Sequence, residues 1–460
     1  MRLTLDVENT VTKRDGKMHL DPYEPGNFLV QVGTQNVDNP EETNIFTFDH
    51  KEQQDRSGIQ GKKLQLILDN TTLLIGHNLQ HDLMWLWECG FKYDGDIYDT
   101  MLAEYLLLRG QKEPLSLDAC AERRGLSYQK DDTLKRYFKE GYNTNEIPLK
   151  DLSFYLRRDL DTTTELYNAI EWDYANPESA SLHAVRGVTF NTCKTLTRMY
   201  MRGVAVDKSA LDVVRVEFEE ERAAILERLS KRTRELMGAT PINLNSPEQV
   251  SQVVFSRKVN NKAEWAKLFD FVNSDAEFKD AISANSKVIK KTRASTCLDC
   301  NGEGKIYKVK KDGTRYARPN KCTSCDSRGY LLVDTNEVAG LKFTAPSKKW
   351  VSANGFSTGK DNLDLLMATA KTKGMEDAVD FLGDLKRLSA ISSYLSSFVD
   401  GISTYTKPDG KLHVSLTQHI TATGRFSGRN PNMQNMPRGG TFPVKRVFVS
   451  RWQGGKIMEA

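Results

Sequence analysis

Asp6 and Glu8 lie two residues apart in RLTLDVE, an apolar stretch with the composition of a β-strand. Residues i and i+2 of a strand share one face, so the two carboxylates point the same way. Two bare acids side by side repel, and desolvation penalises their charged forms. A divalent cation reverses that penalty. An isolated D-x-E is more often two solvated acids on a half-exposed strand, so the weight falls on what accompanies it. Asn78 and Asp82, four apart, follow the apolar run TLLIG, and Tyr155 and Asp159, also four apart, lie in DLSFYLRRDLDTTTELY. That spacing predicts that the members of each pair share a helical face. Four carboxylates in three segments form the donor set of a two-metal phosphodiesterase site, where one ion activates water and both stabilise charge in an in-line displacement. The tyrosine can orient the water.

A second constellation is made of thiols. Cys297/Cys300 and Cys322/Cys325 are two C-x-x-C pairs with 21 residues between them. Gly302, Gly304 and Gly329 follow the pairs closely, which resembles the C-x-x-C-x-G-x-G zinc repeats of DnaJ-type chaperones. One structural Zn²⁺ is expected, closed by four thiolates and therefore non-catalytic, with redox pairs or free thiols as the alternatives. Cys89, Cys120 and Cys193 read as buried thiols. Residues 287–328 carry 12 Lys/Arg against 4 Asp/Glu, an excess of 8, whereas the whole chain carries only +4. These basic surroundings suggest DNA contact or docking of a processivity factor.

The third is QHITATGRFSGRNPNMQNMPRGG, Gln418–Gly440, dense in hydroxyl, amide and guanidinium donors. Such a segment suits phosphates and minor-groove acceptors, although composition alone does not separate it from an ordinary polar loop.

The elements that must position these groups follow from periodicity. RLTLDVE, FLVQVG, NIFTFD and TLLIGHN read as strands; LQLILD, DTMLAEYLLLR, SLDACAERRG and Leu149–Trp172 read as helices. This order predicts an α/β domain ending near residue 180. Leu211, Val214, Phe218, Ile225, Leu229 and Leu236 then mark one face of a long helix stopped by Gly238. In INLNSPEQVSQVVF, Ser246 caps a helix with Pro247 in its first turn and Gln249 in capping-box position. LHVSLTQ reads as a strand.

In order, Asp6/Glu8, Asn78/Asp82 and Tyr155/Asp159 resemble the three motifs of the 3′→5′ exonuclease superfamily with four acidic residues. The resemblance implies that Asp6, Glu8, Asp82 and Asp159 hold two Mg²⁺ or Mn²⁺ ions, with Tyr155 near the attacking water. Asp99, in YDTMLAEYLL, also matches a family segment and is read as structural support, while Asp161 reads as surface charge. T-A-T-G-R-x-S followed by P-N-x-Q-N-x-P resembles the primer–template motif of family A DNA polymerases. INLNSPEQVSQVVF, GFSTGKDNLDLL and LKRLSAISSYLSSFVDGI resemble the thumb segment and the approach to the palm in that family. The likeness covers nearly the whole chain apart from the cysteine insert, and it looks like the bacteriophage branch. It implies that Arg425 reaches the primer–template minor groove, that Gln434 and Asn435 line the duplex, and that Lys445 or Arg446 lies near the incoming triphosphate or template. Asn78 and Thr423 are further expected nucleic-acid contacts. Tyr200, three before Gly203, departs from the Glu of many relatives.

The fold expected is a ribonuclease H-like α/β exonuclease domain with a mixed sheet, a mainly helical thumb with a small zinc module, and the first strands of an α+β palm. Its boundaries are 1–182, 183–410 (zinc insert about 287–335) and 411–460. By resemblance KIMEA is the palm strand leading into the first catalytic aspartate, so these residues alone are expected not to polymerise DNA. A C-terminal partner chain is the expected remedy, whether the division is a split polymerase, with a split intein as one route, or a truncation. A free-standing RNase D-like exonuclease and a non-enzymatic DNA-binding subunit are the alternatives. Hydropathy and the N-terminus show neither a membrane span nor a signal peptide, which points to a cytoplasmic protein, in the phage reading of an infected bacterial cell. An odd number of cysteines without such a signal argues against a disulfide framework.

Overall fold

Along Arg2–Asn9 (β1) the alternation places Leu3, Leu5 and Val7 in the apolar core, while Thr4, Asp6 and Glu8 point to the opposite face. The computed structural model describes every residue except 15, 128–132, 312, 316, 438–440 and 458–460. β1 is the centre of a five-stranded mixed sheet with Leu29–Asn36 (β2), Asn39–Thr47 (β3), Leu73–Gly76 (β4) and Asp96–Asp99 (β5). The order is β3-β2-β1-β4-β5. β1 is antiparallel to β2 and parallel to β4, which is parallel to β5. The β5 strand was hidden in sequence: DIYD is four residues long and runs directly into the DTMLAEYLL helix that dominates the local pattern.

Helix Leu149–Tyr174 covers the face that carries Thr4, Asp6 and Glu8. Its buried Leu152, Leu156 and Leu160 dock alongside polar contacts. Gln31 Nε2 donates to Ser153 Oγ at 2.8 Å, Thr164 Oγ1 donates to Gln35 Oε1 at 2.6 Å, and the Thr4 and Thr164 hydroxyls pair at 2.9 Å. On the other face Leu83, Leu86, Phe190 and Cys193 join Leu3, Leu5 and Leu74 in one core. Phe190 and Cys193 belong to helix Leu182–Arg202, so the sheet's core continues past residue 182.

By contacts the chain forms two units, Met1–Arg215 with Leu395–Ala460, and Val216–Tyr394. In the first, Lys411–Leu412, Val204–Val206 and Phe448–Val449 build a three-stranded sheet. LHVSLTQ is therefore not one strand: it breaks at His413, and Ser415–Thr417 pairs with Ser427–Arg429 instead. His413 causes the break by turning inward, where its ring stacks on Tyr23 at 3.9 Å and its Nδ1 donates to the Tyr200 carbonyl at 2.7 Å. The buried Lys407 ammonium is held by Asp21 at 2.7 Å and Glu24 at 2.9 Å, which ties this segment to the loop after β1. Of the expected palm strand KIMEA, Lys456 and Ile457 have no regular structure and the last three residues lie outside the described ones.

The long helix is Lys208–Met237, whose residues from Val216 on belong to the second unit, and it is ended by Gly238 at φ 76°. Phe218, Ile225 and Leu229 are buried, but Met237, not Leu236, is the last buried residue. Ser246 caps Pro247–Phe255, yet no reciprocal box forms, because Gln249 Oε1 accepts from Asn243 N at 2.7 Å. Cys120 and Cys193 are buried as expected, whereas Cys89, the C-cap of helix Gln80–Glu88, is exposed.

Candidate active site and metal centre

β1 brings Asp6 and Glu8 together, and its neighbours explain what they meet. The parallel ladder with β4 is made at Arg2, Leu3 and Thr4, leaving Asp6 and Glu8 beyond it at the carboxyl end of the strands. That end is where open α/β sheets place their sites. On the other edge Asp6 is paired with Gly33 and Glu8 with Gln31. A Cβ on Gly33 would lie 2.7 Å from Leu160 Cδ1 and 2.9 Å from Leu156 Cγ. The absent side chain lets helix Leu149–Tyr174 lie directly on the sheet beside Asp6, and Tyr155 and Asp159 come with it. These two share a helical turn, and the Tyr155 hydroxyl is hydrogen-bonded to Asp159.

Asp82 arrives differently. It sits buried in the first turn of helix Gln80–Glu88. Asn78 does not share its helical face, as the spacing had suggested: it precedes the helix in a left-handed conformation, φ 63°, with its side chain exposed. The reason is Asp99. Its carboxylate accepts from the N–H groups of Asn78 and Leu79 at 3.2 and 2.8 Å, and from Met101 and Leu102 at 2.9 and 3.1 Å. One side chain thus caps helix Thr100–Leu107 and fixes the turn that aims Asp82. His77 and His81 were missed by sequence reading. His77 bridges Thr100 Oγ1 and the Leu115 carbonyl, and His81 Nε2 bonds Asn9 Oδ1 at 2.8 Å. Burial pushes both imidazoles down to about 4, so they are neutral braces. Their one sequence signal was proximity to Asp82.

Burial raises all four acids: Asp6 to about 6, Asp159 to about 8, and Glu8 and Asp82 well above the usual range. Mutual repulsion adds to it. Asp6 acts on Glu8, Asp82 and Asp159, and Asp159 acts on Glu8. Tyr155 is also raised, by burial and then by Asp159 and Glu8. A half-buried set of acids that repel one another is chemically suited to divalent cations. The acids are not gathered around a single point: among the described residues, the four cysteines alone bring three or more such ligand atoms within 4.8 Å of one another.

The cysteine centre is closed and buried. Cys297 and Cys322 Sγ are 3.8 Å apart, and Cys300 and Cys325 Sγ are 3.7 Å apart. Four sulfurs about 2.3 Å from a zinc ion at tetrahedral angles would be about 3.8 Å apart, whereas a disulfide would need about 2 Å. Gly304 N and Gly329 N donate to Cys300 and Cys325 Sγ at 3.2 and 3.3 Å. Gly304 and Gly329 have φ of 69° and 78°, and a Cβ on either would meet a backbone carbonyl oxygen within 2.3 Å. The residues fit a structural zinc ion.

In the 421–435 segment, Arg425, Gln434 and Asn435 line a recess of about 510 Å³ with Gly424 and Phe426. Gln434 Oε1 accepts from Gly428 N at 2.7 Å, and Thr421 Oγ1 donates to the Arg425 carbonyl at 2.8 Å. Thr423 is exposed nearby. Lys445 and Arg446 lie in the short turn Val444–Val447 and do not line the recess. A cavity of about 1190 Å³ has Asn78 and His81 on one wall and His419, Thr421 and Arg429 on another.

Comparison with known proteins gives three results. Residues 17–173 match the 3'-5' exonuclease family, and residues 328–460 match DNA polymerase family A. The DNA polymerase of Bacillus phage SP01 is 26% identical over 412 residues, covering 86% of this chain and 38% of its own length. DNA polymerase I of Bacillus subtilis is 32% identical over 118 residues, 22% of this chain and 12% of its own. The POL domain of Pol1 from M. smegmatis, solved in complex with DNA primer-template and dNTP, has the same fold over 97% of this chain and 54% of its own, with TM-score 0.55 and 18% identity. The chain spans well under two thirds of the length of these relatives. β1, with Asp6 and Glu8, precedes the matched exonuclease range, and the four cysteines fall between the two ranges.

Proposed function

Since residues 17–173 match the 3'-5' exonuclease family and residues 328–460 match DNA polymerase family A, we propose that this chain removes nucleotides from DNA 3′ ends in a reaction that depends on Mg²⁺ or Mn²⁺. The observation that carries the reading is the burial and mutual repulsion of Asp6, Glu8, Asp82 and Asp159, carried by three elements and each disfavoured as a bare charge. These four would hold two divalent ions. When bound, such ions supply positive charge to the phosphodiester and lower the pKa of a water. The chain's own residues do the rest. The Tyr155 hydroxyl, held by Asp159, orients the attacking water. Asp99, His77 and His81 fix Asp82 without touching the reacting atoms.

The polymerase region extends the proposal to primer–template binding through Thr423, Arg425, Gln434 and Asn435, with Lys445 or Arg446 toward triphosphate or template. Residues 1–460 are proposed to be insufficient for DNA synthesis, and the cysteines to hold one Zn²⁺. The test is a purified-protein assay on 3′-labelled single strands with Mg²⁺, Mn²⁺ or chelator. Asp6→Ala with Glu8→Ala should lower cleavage by about 10³-fold or more, the equivalent of several kcal/mol of lost charge stabilisation. Unchanged digestion by the double variant sinks the site. Primer extension by residues 1–460 alone sinks their insufficiency for synthesis.

A further inference from the structure

We propose that the tip of the cysteine module, residues 301–321, is an additional binding surface for the phosphate backbone of duplex DNA; DNA as its occupant rests on the proposed function. The module is a stalk and a staple. Lys290–Thr296 and Tyr330–Val338 form a two-stranded antiparallel ladder, and the four cysteines join its ends. Between the cysteine pairs the chain runs out and back as a short hairpin, with Lys305–Ile306 against Asn320–Lys321 and Val309 bridged to Arg315.

The charge of this tip is concentrated. It holds seven Lys/Arg against Glu303 and Asp312, a net +5, while the whole chain is +4; the remainder of the chain is therefore −1. A merely solvated surface would be mixed in sign. Register sharpens the point. Lys305 and Lys321 stand directly opposite each other across the hairpin, an arrangement that destabilises a strand pair when nothing neutralises it. Lys308, Lys311 and Arg318 are exposed as well. Arg315 is kept near the hairpin by the Tyr307 ring, 5.7 Å from its centroid.

A polyanion of regular charge is the occupant this surface fits. Five of the seven cations are lysines. Lysine is depleted in protein–protein interfaces, whereas it commonly supplies sequence-independent phosphate contacts. An acidic protein is the competing occupant.

The experiment uses the full chain carrying Lys305→Gln, Lys308→Gln, Lys311→Gln, Arg318→Gln and Lys321→Gln. Duplex affinity is measured against salt, alongside zinc content and digestion of a short single strand. Each lost phosphate contact should reduce the slope of log affinity against log salt by about 0.9, so a loss of two to four units of slope is expected, with duplex affinity at low salt falling at least tenfold. Zinc content and single-strand digestion should not change. If the five changes expel zinc, the Lys308→Gln/Lys311→Gln/Arg318→Gln variant, which spares the paired strands, is read instead, with a slope loss of one to three units expected. An unchanged slope in a zinc-loaded variant overturns the proposal, as does equal competition by polyglutamate and duplex DNA for the wild-type tip. Digestion with no tip-dependent duplex binding refutes the tip alone. Tip-dependent binding by a chain that digests nothing refutes the exonuclease reading alone.

Discussion

The carboxylate site and the cysteine centre are both suited to metal, but they are built in opposite ways. The acids stand on a scaffold with its own apolar core, in which Leu3, Leu5, Leu74, Ile75 and Leu83 are at most 2% exposed. That scaffold has reason to fold with or without an ion. The module's buried cluster, in contrast, consists of the four cysteines alone. With little apolar surface to bury, such a module depends on the ion for its folding free energy. The acid site is therefore a place where a fold imposes an electrostatic cost, and the cysteine centre a place where the ion makes the fold.

The largest expected effect tests that difference. Cys322→Ser with Cys325→Ser should remove one zinc per chain and with it about 10–16 kcal/mol of apparent binding energy. Limited proteolysis should then cut within residues 290–338 while residues 1–180 stay protected and digestion of single strands continues. A protected module without metal would erase the contrast.

Gly33→Leu attacks the scaffold instead. Its side chain would occupy the place of Leu156 and Leu160, so helix Leu149–Tyr174 must move off the sheet. Overpacking of this kind costs about 1–3 kcal/mol. Denaturant unfolding should show the loss, and exonuclease activity should fall further than stability does, because Asp159 and Tyr155 move away from Asp6.

A smaller effect follows from pH. The raised acids bind protons more tightly in the folded than in the unfolded chain. With chelator present, their contribution to stability is greatest at low pH and is lost as pH rises from 3.8, the ordinary aspartate value, toward about 8, the value of Asp159. Asp82→Asn removes one repelling charge, so thermal melts of this variant should depend less on pH across that window, even as cleavage is lost. A steeper dependence would show that the acids are not strained as described.

The smallest expected effect is that of Arg425→Ala, which should weaken duplex binding by about 1 kcal/mol. Single-strand digestion should hardly change, since Arg425 lines the 421–435 recess and not the carboxylate site. Equal losses in both assays would tie the two sites together functionally.

The residues alone determined whatever depends on local periodicity. Asp6 and Glu8 share a face because a strand repeats every two residues, and Tyr155 and Asp159 because a helix repeats near four. The cysteine pairs declared themselves because a tight metal loop needs its ligands and glycines close in sequence. Tertiary structure decided what joins distant segments. Nothing in the strand sequence says that Gly33 stands beside Asp6 and admits a helix from residues 149–174. Nothing local says that Asp99 reaches back to the N–H groups of Asn78 and Leu79, which replaces the expected helical pairing of Asn78 and Asp82 with a left-handed turn. Nor does LHVSLTQ reveal that His413 will turn inward onto Tyr23 and split one apparent strand between two sheets. The physical reason is common to all three. Propensity and period act over a few residues, whereas close packing and buried hydrogen bonds are satisfied only by partners that the whole fold brings together.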